Sequence, residues 1–189
     1  MVGLCDLEDL SLHILDIVEN SIRAGARNVK IKIIIDKKND LLNLEIEDDG
    51  KGMTQDEVNK IFDPFYTGQN KKTGLGLSLL KDSVEKAEGQ INVFSKVNTG
   101  TKVVANFKLS NPDMIPIGDI SETMLVLAIS NQDVRFKLNH ICNGNEFVFD
   151  TDEFKEARND SLNFLKEVKN KLENYKKFLA TIKGDLYGI

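Results

Sequence analysis

The chain has 189 residues, of which 25 are Lys or Arg and 30 are Asp or Glu, giving a formal net charge of −5. That balance argues against a general affinity for nucleic acid or an anionic membrane surface, and 41% hydrophobic with 29% charged residues reads as a globular chain. The longest apolar run, residues 124–129, is far too short to span a bilayer.

Residues 1–9 are acidic and lack the basic stretch of a secretory leader, so the chain reads as cytoplasmic. Cys5 and Cys142 have neither metal-ligand spacing nor a histidine cluster nearby and read as buried thiols in a reducing compartment. Leu7, Leu10, Ile14, Val18 and Ile22 recur at helical spacing and predict a first helix that Gly25 closes. Residues 29–35 alternate like a half-buried strand, residues 37–40 turn, and residues 42–47 return as a second strand. Thr54 and Glu57 form a capping box that opens a short helix ending near Phe62. The polar stretch 67–73 has no periodicity and reads as a loop. Leu77, Leu80, Val84 and Ala87 mark a further helix stopped at Gly89, followed by a hairpin of residues 90–95 and 101–109. Asn111-Pro-Asp-Met-Ile-Pro116 is the one clear boundary signal, dividing residues 1–110 from an extension, 111–189. The extension is expected to hold a helix over 119–129, a hairpin about Asn143-Gly-Asn145 and a long charged helix from about Thr151.

Four short segments carry chemistry. Asp16, Asn20 and Arg23 fall at i, i+4 and i+7 and share one face of the first helix. This brings together a carboxylate that can take a proton, an amide oxygen suited to a hard cation, and a cation suited to phosphate. A solvated polar face is the alternative for that segment alone. Asp48-Asp-Gly-Lys-Gly-Met53 follows a strand, where a carboxylate can accept from an amino group while Gly50 and Gly52 let a flat ring approach the backbone. Taken alone, it is also an ordinary turn. Ile61-Phe-Asp-Pro-Phe-Tyr-Thr67 puts aromatics either side of a proline, which a helix end packed on the core would also do. Thr73-Gly-Leu-Gly-Leu77 opens a helix whose free N–H groups suit phosphate, though glycines there can simply mark a turn.

In this order the four segments resemble the N, G1, F and G2 boxes of the GHKL ATPases, the group of gyrase, heat-shock chaperones, histidine kinases and mismatch-repair clamps. Gly74-Leu-Gly-Leu-Ser78, Val84-Glu-Lys-Ala-Glu-Gly89 and Thr99-Gly-Thr101 are similar to the ATP-binding domain of histidine kinases, and Val18-Glu-Asn-Ser-Ile with Ala24-Gly-Ala26 to the mismatch-repair branch. The resemblance covers residues 10–109. It implies an α/β fold, the two-layer Bergerat sandwich of a mixed β-sheet with helices on one face, to which the small α+β extension is added. It implies ATP and Mg²⁺ as ligands, with Asn20 on the metal and Arg23 near the phosphates. Asp48 would read the adenine amino group, helped through water by Thr101, with Gly50 and Gly52 giving the ring access. Gly74, Leu75, Gly76 and Leu77 would meet the phosphates, with Lys71 and Lys72 of the lid as further contacts. Asp16 stands where hydrolysing branches usually carry Glu. A base one methylene short loses much of its effect, so binding with slow hydrolysis is expected.

The first helix begins so near the start of this sequence that no room is left for the acceptor-histidine domain of a conventional histidine kinase. His13 reads as structural, or as an orienter of Asp16, and His140 lacks the acidic neighbour of an acceptor, so self-phosphorylation on histidine is not expected. Leu10-Ser-Leu-His-Ile-Leu-Asp-Ile-Val18 and Glu146-Phe-Val-Phe-Asp-Thr151 also resemble small stand-alone ATP-binding proteins encoded beside iron-only hydrogenase subunits in clostridia-like anaerobes. Leu165, Val168, Leu172, Tyr175, Leu179 and Ile182 form either a coiled-coil seam for a partner or second copy, or the inner face of a helix laid on its own domain. Two functions follow. One is a regulatory kinase or ATP-gated switch acting on a protein partner through the extension. The other is a non-catalytic ATP-binding scaffold. Neither nucleic acid nor membrane is an expected partner, and a homodimer stays open.

Overall fold

The computed structural model describes residues 9–63 and 76–186. The first helix, α1, spans Leu10–Arg23, with Asp9 as its N-cap accepting from the Leu12 N–H. It ends on Gly25 at φ +83°, where the Ala26 N–H reaches the Ser21 carbonyl (3.1 Å) and the Gly25 N–H that of Ile22 (2.9 Å). This reversed pair of bonds satisfies the last carbonyls of the helix and needs a left-handed residue, which glycine supplies without a Cβ penalty.

The strands follow as β1 (Asn28–Asp36) and β2 (Leu41–Asp48), then β3 (Gln90–Lys96), β4 (Gly100–Lys108), β5 (Arg135–Cys142) and β6 (Asn145–Asp150). They make one mixed six-stranded sheet in the order β3-β4-β2-β1-β5-β6, in which only β1 and β5 run parallel. Val29, Ile31, Ile33 and Ile35 of β1 are buried and meet Leu42, Leu44 and Ile46 of β2, Val103, Ala105 and Phe107 of β4, and Phe136 and Leu138 of β5. All these side chains point to one face, and α1, α3 (Gly76–Lys86), α4 (Ile120–Ser130) and α5 (Ser161–Leu186) pack there. The other face carries half-exposed lysines, glutamates and asparagines, including the pairs Lys30–Glu47 (2.9 Å) and Lys102–Glu45 (2.7 Å). The two-layer sandwich that the resemblance implies is therefore the observed fold. The capping box also forms, at the head of α2 (Gln55–Lys60).

The stretch after Asn111–Pro116 supplies two strands to this same sheet, because β5 lies parallel against β1. Its helix α4 is capped by Asp119 and touches α1, and the Thr123 hydroxyl lies 3.5 Å from the Ser11 carbonyl. The first turn of α1 is tied to the same stretch by Leu10 N–H to the Pro116 carbonyl (2.9 Å) and Ser11 N–H to that of Ile117 (3.0 Å).

One detail of the extension differs from the sequence reading, and one open alternative is resolved. The long helix does not begin at Thr151. Thr151–Asn159 is a 3-10 helix broken at Phe154, and Asp160 then caps a fresh start by accepting from the Leu162 and Asn163 N–H groups. The apolar seam of α5 is also used within the chain. Phe164, Val168, Leu172, Tyr175 and Ile182 are buried against α4, β6 and the 3-10 helix, leaving Leu162 exposed. Hydrophobic burial favours this docking over a free seam. Cys142 is buried, and Cys5 lies outside the described residues. None of the described helices is long and apolar enough to cross a membrane.

Candidate nucleotide-binding site

A cavity of about 220 Å³ opens between α1, the end of β2, the start of β4 and the first turn of α3. Two adjacent stripes of α1 form its wall. The stripe predicted from spacing, Asp16, Asn20 and Arg23, is joined end to end by hydrogen bonds. Asn20 Nδ2 donates to Asp16 Oδ2 (3.1 Å), and Arg23 Nη2 donates to Asn20 Oδ1 (3.0 Å). Arg23 also faces Glu19 at 3.7 Å, with both side chains half exposed. The second stripe, Ile17, Ser21 and Ala24, lies one residue round the helix and supplies apolar wall and one hydroxyl.

The floor comes from the sheet. Asp48 ends β2 on the helix-covered face, and its carboxylate is held from two sides. Ser21 Oγ donates to Oδ2 (2.7 Å) and the Gly50 N–H donates to Oδ1 (2.8 Å). Thr101 sits directly opposite Asp48 across the β2–β4 ladder, with Ile46 and Val103 one level further along as apolar floor. Gly50 itself does not line the cavity; its N–H orients Asp48 instead. Gly52 does line it, at φ +62°, where an added Cβ would run into the Lys96 carbonyl. The left-handed backbone and the close approach both demand glycine there. The neighbouring Asp49 supports the loop. Burial works against its charge, but bonds from the Asn28 side chain and the Asn28 and Arg27 N–H groups prevail and hold its carboxyl below the usual range.

Gly76 and Leu77 open α3 at the cavity edge, and a Cβ on Gly76 would collide with the Asp16 carboxylate. Asp16, Asn20, Arg23, Asp48, Gly52, Gly76, Leu77 and Thr101 therefore come together around one space. Lys71, Lys72, Gly74 and Leu75, with the loop 67–73, lie outside the described residues. Sequence reasoning missed Ser21, Lys51, Met53, Glu57 and Ile61, which also line the cavity. Ser21 carries no local signal of its own, and it meets Asp48 only because α1 packs over the end of β2. Glu57 and Ile61 reach the mouth only through the packing of α2, which no local pattern announces. Among the described residues there is no group of three or more His, Cys, Asp and Glu side chains that could hold a metal ion.

A mixed sheet covered by helices on one face, with this cavity between them, is the architecture of the GHKL ATPase domains. The chain belongs to that family, described as histidine kinase-, DNA gyrase B-, and HSP90-like ATPase, which matches residues 5–111. Over 98 residues, 49% of this chain, it is 31% identical to the sensor histidine kinase YvrG of Bacillus subtilis (strain 168), covering 17% of that protein. Sporulation kinase D of the same organism is 29% identical over 106 residues, 56% of this chain and 21% of that kinase. The chain thus spans a small part of the curated relatives it matches. The solved Aquifex aeolicus MutL ATPase domain complexed with ADP shares the fold, with a TM-score of 0.55 and 17% identity over 89% of this chain and 70% of that one.

Proposed function

We propose that this domain binds ATP with Mg²⁺ and acts as a regulatory kinase or slow ATP-gated switch on a protein partner. The observation that carries the reading is the single cavity that joins a braced carboxylate, Asp48 with Ser21 and Thr101, to the Asp16–Asn20–Arg23 row. Asp48 offers lone pairs to an adenine amino group, and the apolar side chains of Ile46, Met53 and Val103 suit the faces of a flat base.

Asn20 fits the metal role. Its Oδ1 already accepts from a cation, the Arg23 guanidinium, and a neutral amide oxygen suits an ion that keeps waters and phosphates as its other ligands. Bound there, Mg²⁺ would neutralise phosphate charge and polarise the transferring group. Arg23, released from Asn20 and from its half-exposed neighbour Glu19, would then meet phosphate. Asp16 is the candidate base, held by Asn20 and set against Gly76, where only a glycine leaves room for its carboxylate, and its short reach favours slow hydrolysis.

The burial of both histidines supports an acceptor other than either of them. His13 is 5% exposed, and His140 is fully buried with Nδ1 2.7 Å from the Tyr175 hydroxyl. In this reading the acceptor is a group on a protein partner, contacted through the extension. With the α5 seam buried within the chain, a partner contact in this reading falls on other surfaces of the extension. The second reading is an ATP-binding scaffold without phosphotransfer, which the short reach of Asp16 also fits. Incubation with γ-labelled ATP and the proteins that co-purify from the native cell separates the two. Label on a partner supports the kinase, and tight ATP binding with no label on any protein and no released phosphate supports the scaffold.

A further inference from the structure

We propose that Ser95, outside the cavity lining, is a positioning residue that fixes the Thr101 hydroxyl as a hydrogen-bond acceptor and so sharpens recognition of a base carrying an exocyclic amino group. The proposal rests on the reading of this cavity as an adenine nucleotide site. Ser95, Thr101 and Asp48 stand at one level on three neighbouring strands. Ser95 is opposite Thr101 in the β3–β4 ladder, and Thr101 is opposite Asp48 in the β4–β2 ladder.

The half-buried Ser95 Oγ meets three groups. The Met53 N–H donates to it at 2.9 Å, the Gly100 carbonyl lies at 3.0 Å, and Thr101 Oγ1 lies at 2.8 Å. A serine hydroxyl has one proton and two lone pairs. The arrangement that uses all three contacts sends the Ser95 proton to the Gly100 carbonyl, which has no proton to give. Ser95 then accepts from both Met53 N–H and the Thr101 hydroxyl. With its proton spent on Ser95, Thr101 presents only lone pairs toward the cavity.

Asp48 is likewise an acceptor, since its carboxylate already takes protons from Ser21 and Gly50. The sheet floor therefore offers acceptors at two adjacent points. That pattern welcomes an amino group or a water donating on its behalf, and it opposes a keto oxygen at the same place. Ser95 also ties Met53, and with it the Gly52 turn, to the β3–β4 hairpin.

The test is calorimetric titration of the full 189-residue chain with Mg-ATP and Mg-ITP, the second base having a keto oxygen where adenine has its amino group. Wild type is expected to prefer ATP. Ser95→Ala should weaken ATP by about three- to tenfold, the worth of one hydrogen bond, and leave ITP nearly unchanged. Ser95→Thr, which keeps the hydroxyl, should retain the preference, and Ser95→Ala should remove little further preference from a Thr101→Ala background. Ser95→Cys, nearly the same shape but a weak donor and acceptor, should show the same selective loss should the alanine variant fold poorly. Equal losses for both nucleotides would mean a merely structural serine and overturn the proposal, as would full preference in Ser95→Ala and Ser95→Cys. A wild type with no preference for ATP instead overturns the adenine reading beneath it.

Discussion

Asp48→Asn isolates the charge at the cavity floor with little disturbance of the fold. In the native site, Oδ1 takes the Gly50 N–H at 2.8 Å and Oδ2 the Ser21 hydroxyl at 2.7 Å. An asparagine can keep its oxygen on Gly50 and turn its NH₂ toward Ser21. Ser21 has a second acceptor available, the Ile17 carbonyl at 3.2 Å, so it can redirect its proton there and accept from the new amide. The internal network therefore closes again, and stability should change by no more than about 1 kcal/mol. The ligand fares worse. It loses a charge-assisted bond and faces an amide whose NH₂ can oppose its own amino group, a cost of about 1.5–3 kcal/mol, or roughly ten- to hundredfold in affinity. Calorimetric titration with Mg-ATP, beside a thermal melt of the same preparation, measures both quantities. Unchanged ATP affinity would remove Asp48 from the adenine role, and a melting temperature that collapses in step with affinity would show that the network argument is wrong.

Asn20→Ala removes the proposed metal ligand and the acceptor of Arg23, so Mg-ATP should bind about tenfold or more weakly while metal-free ADP is barely affected; equal losses in parallel titrations would assign the effect to the fold. Asp16→Glu restores the family's usual reach and should speed phosphate release, whereas Asp16→Asn should slow it and leave ATP affinity near wild type. A placed base contributes about 10²–10⁴ in rate, so single-turnover assays can see partial recovery, and a glutamate variant no faster than wild type refutes the short-base argument. His140 supplies a pH signature, because burial pushes it down to about 4, well under the ordinary 6.5. Between those values the unfolded chain binds a proton that the folded chain does not. Stability should therefore fall by up to about 3 kcal/mol as pH drops from 6.5 toward 4, and urea titrations of a His140→Gln variant should show that limb flattened.

The elements of this fold were legible because each carries its own period. Alternation in residues 29–35 marks a strand with one buried face, the 3.6-residue recurrence through Ile14, Val18 and Ile22 marks α1, and Thr54 with Glu57 marks a helix start. The Asp16–Asn20–Arg23 row was legible for the same reason, since helical spacing alone puts three side chains on one face and lets them bond in sequence. What lies across space was not. Alternation tells a strand which face it buries but not which strand lies beside it, so the pairing of β5 with β1, which carries the extension into the sheet, belongs to the tertiary structure. The fate of the α5 seam was open for a similar reason. The same apolar stripe serves a coiled coil or a domain surface, and the burial of Phe164, Val168 and Tyr175 settled it within the chain. Ser21 and Ser95 were silent in the sequence because a lone serine has no pattern. Each gained its partner, Asp48 for one and Thr101 for the other, only when chain segments distant or folded back on themselves brought a hydroxyl within hydrogen-bond reach.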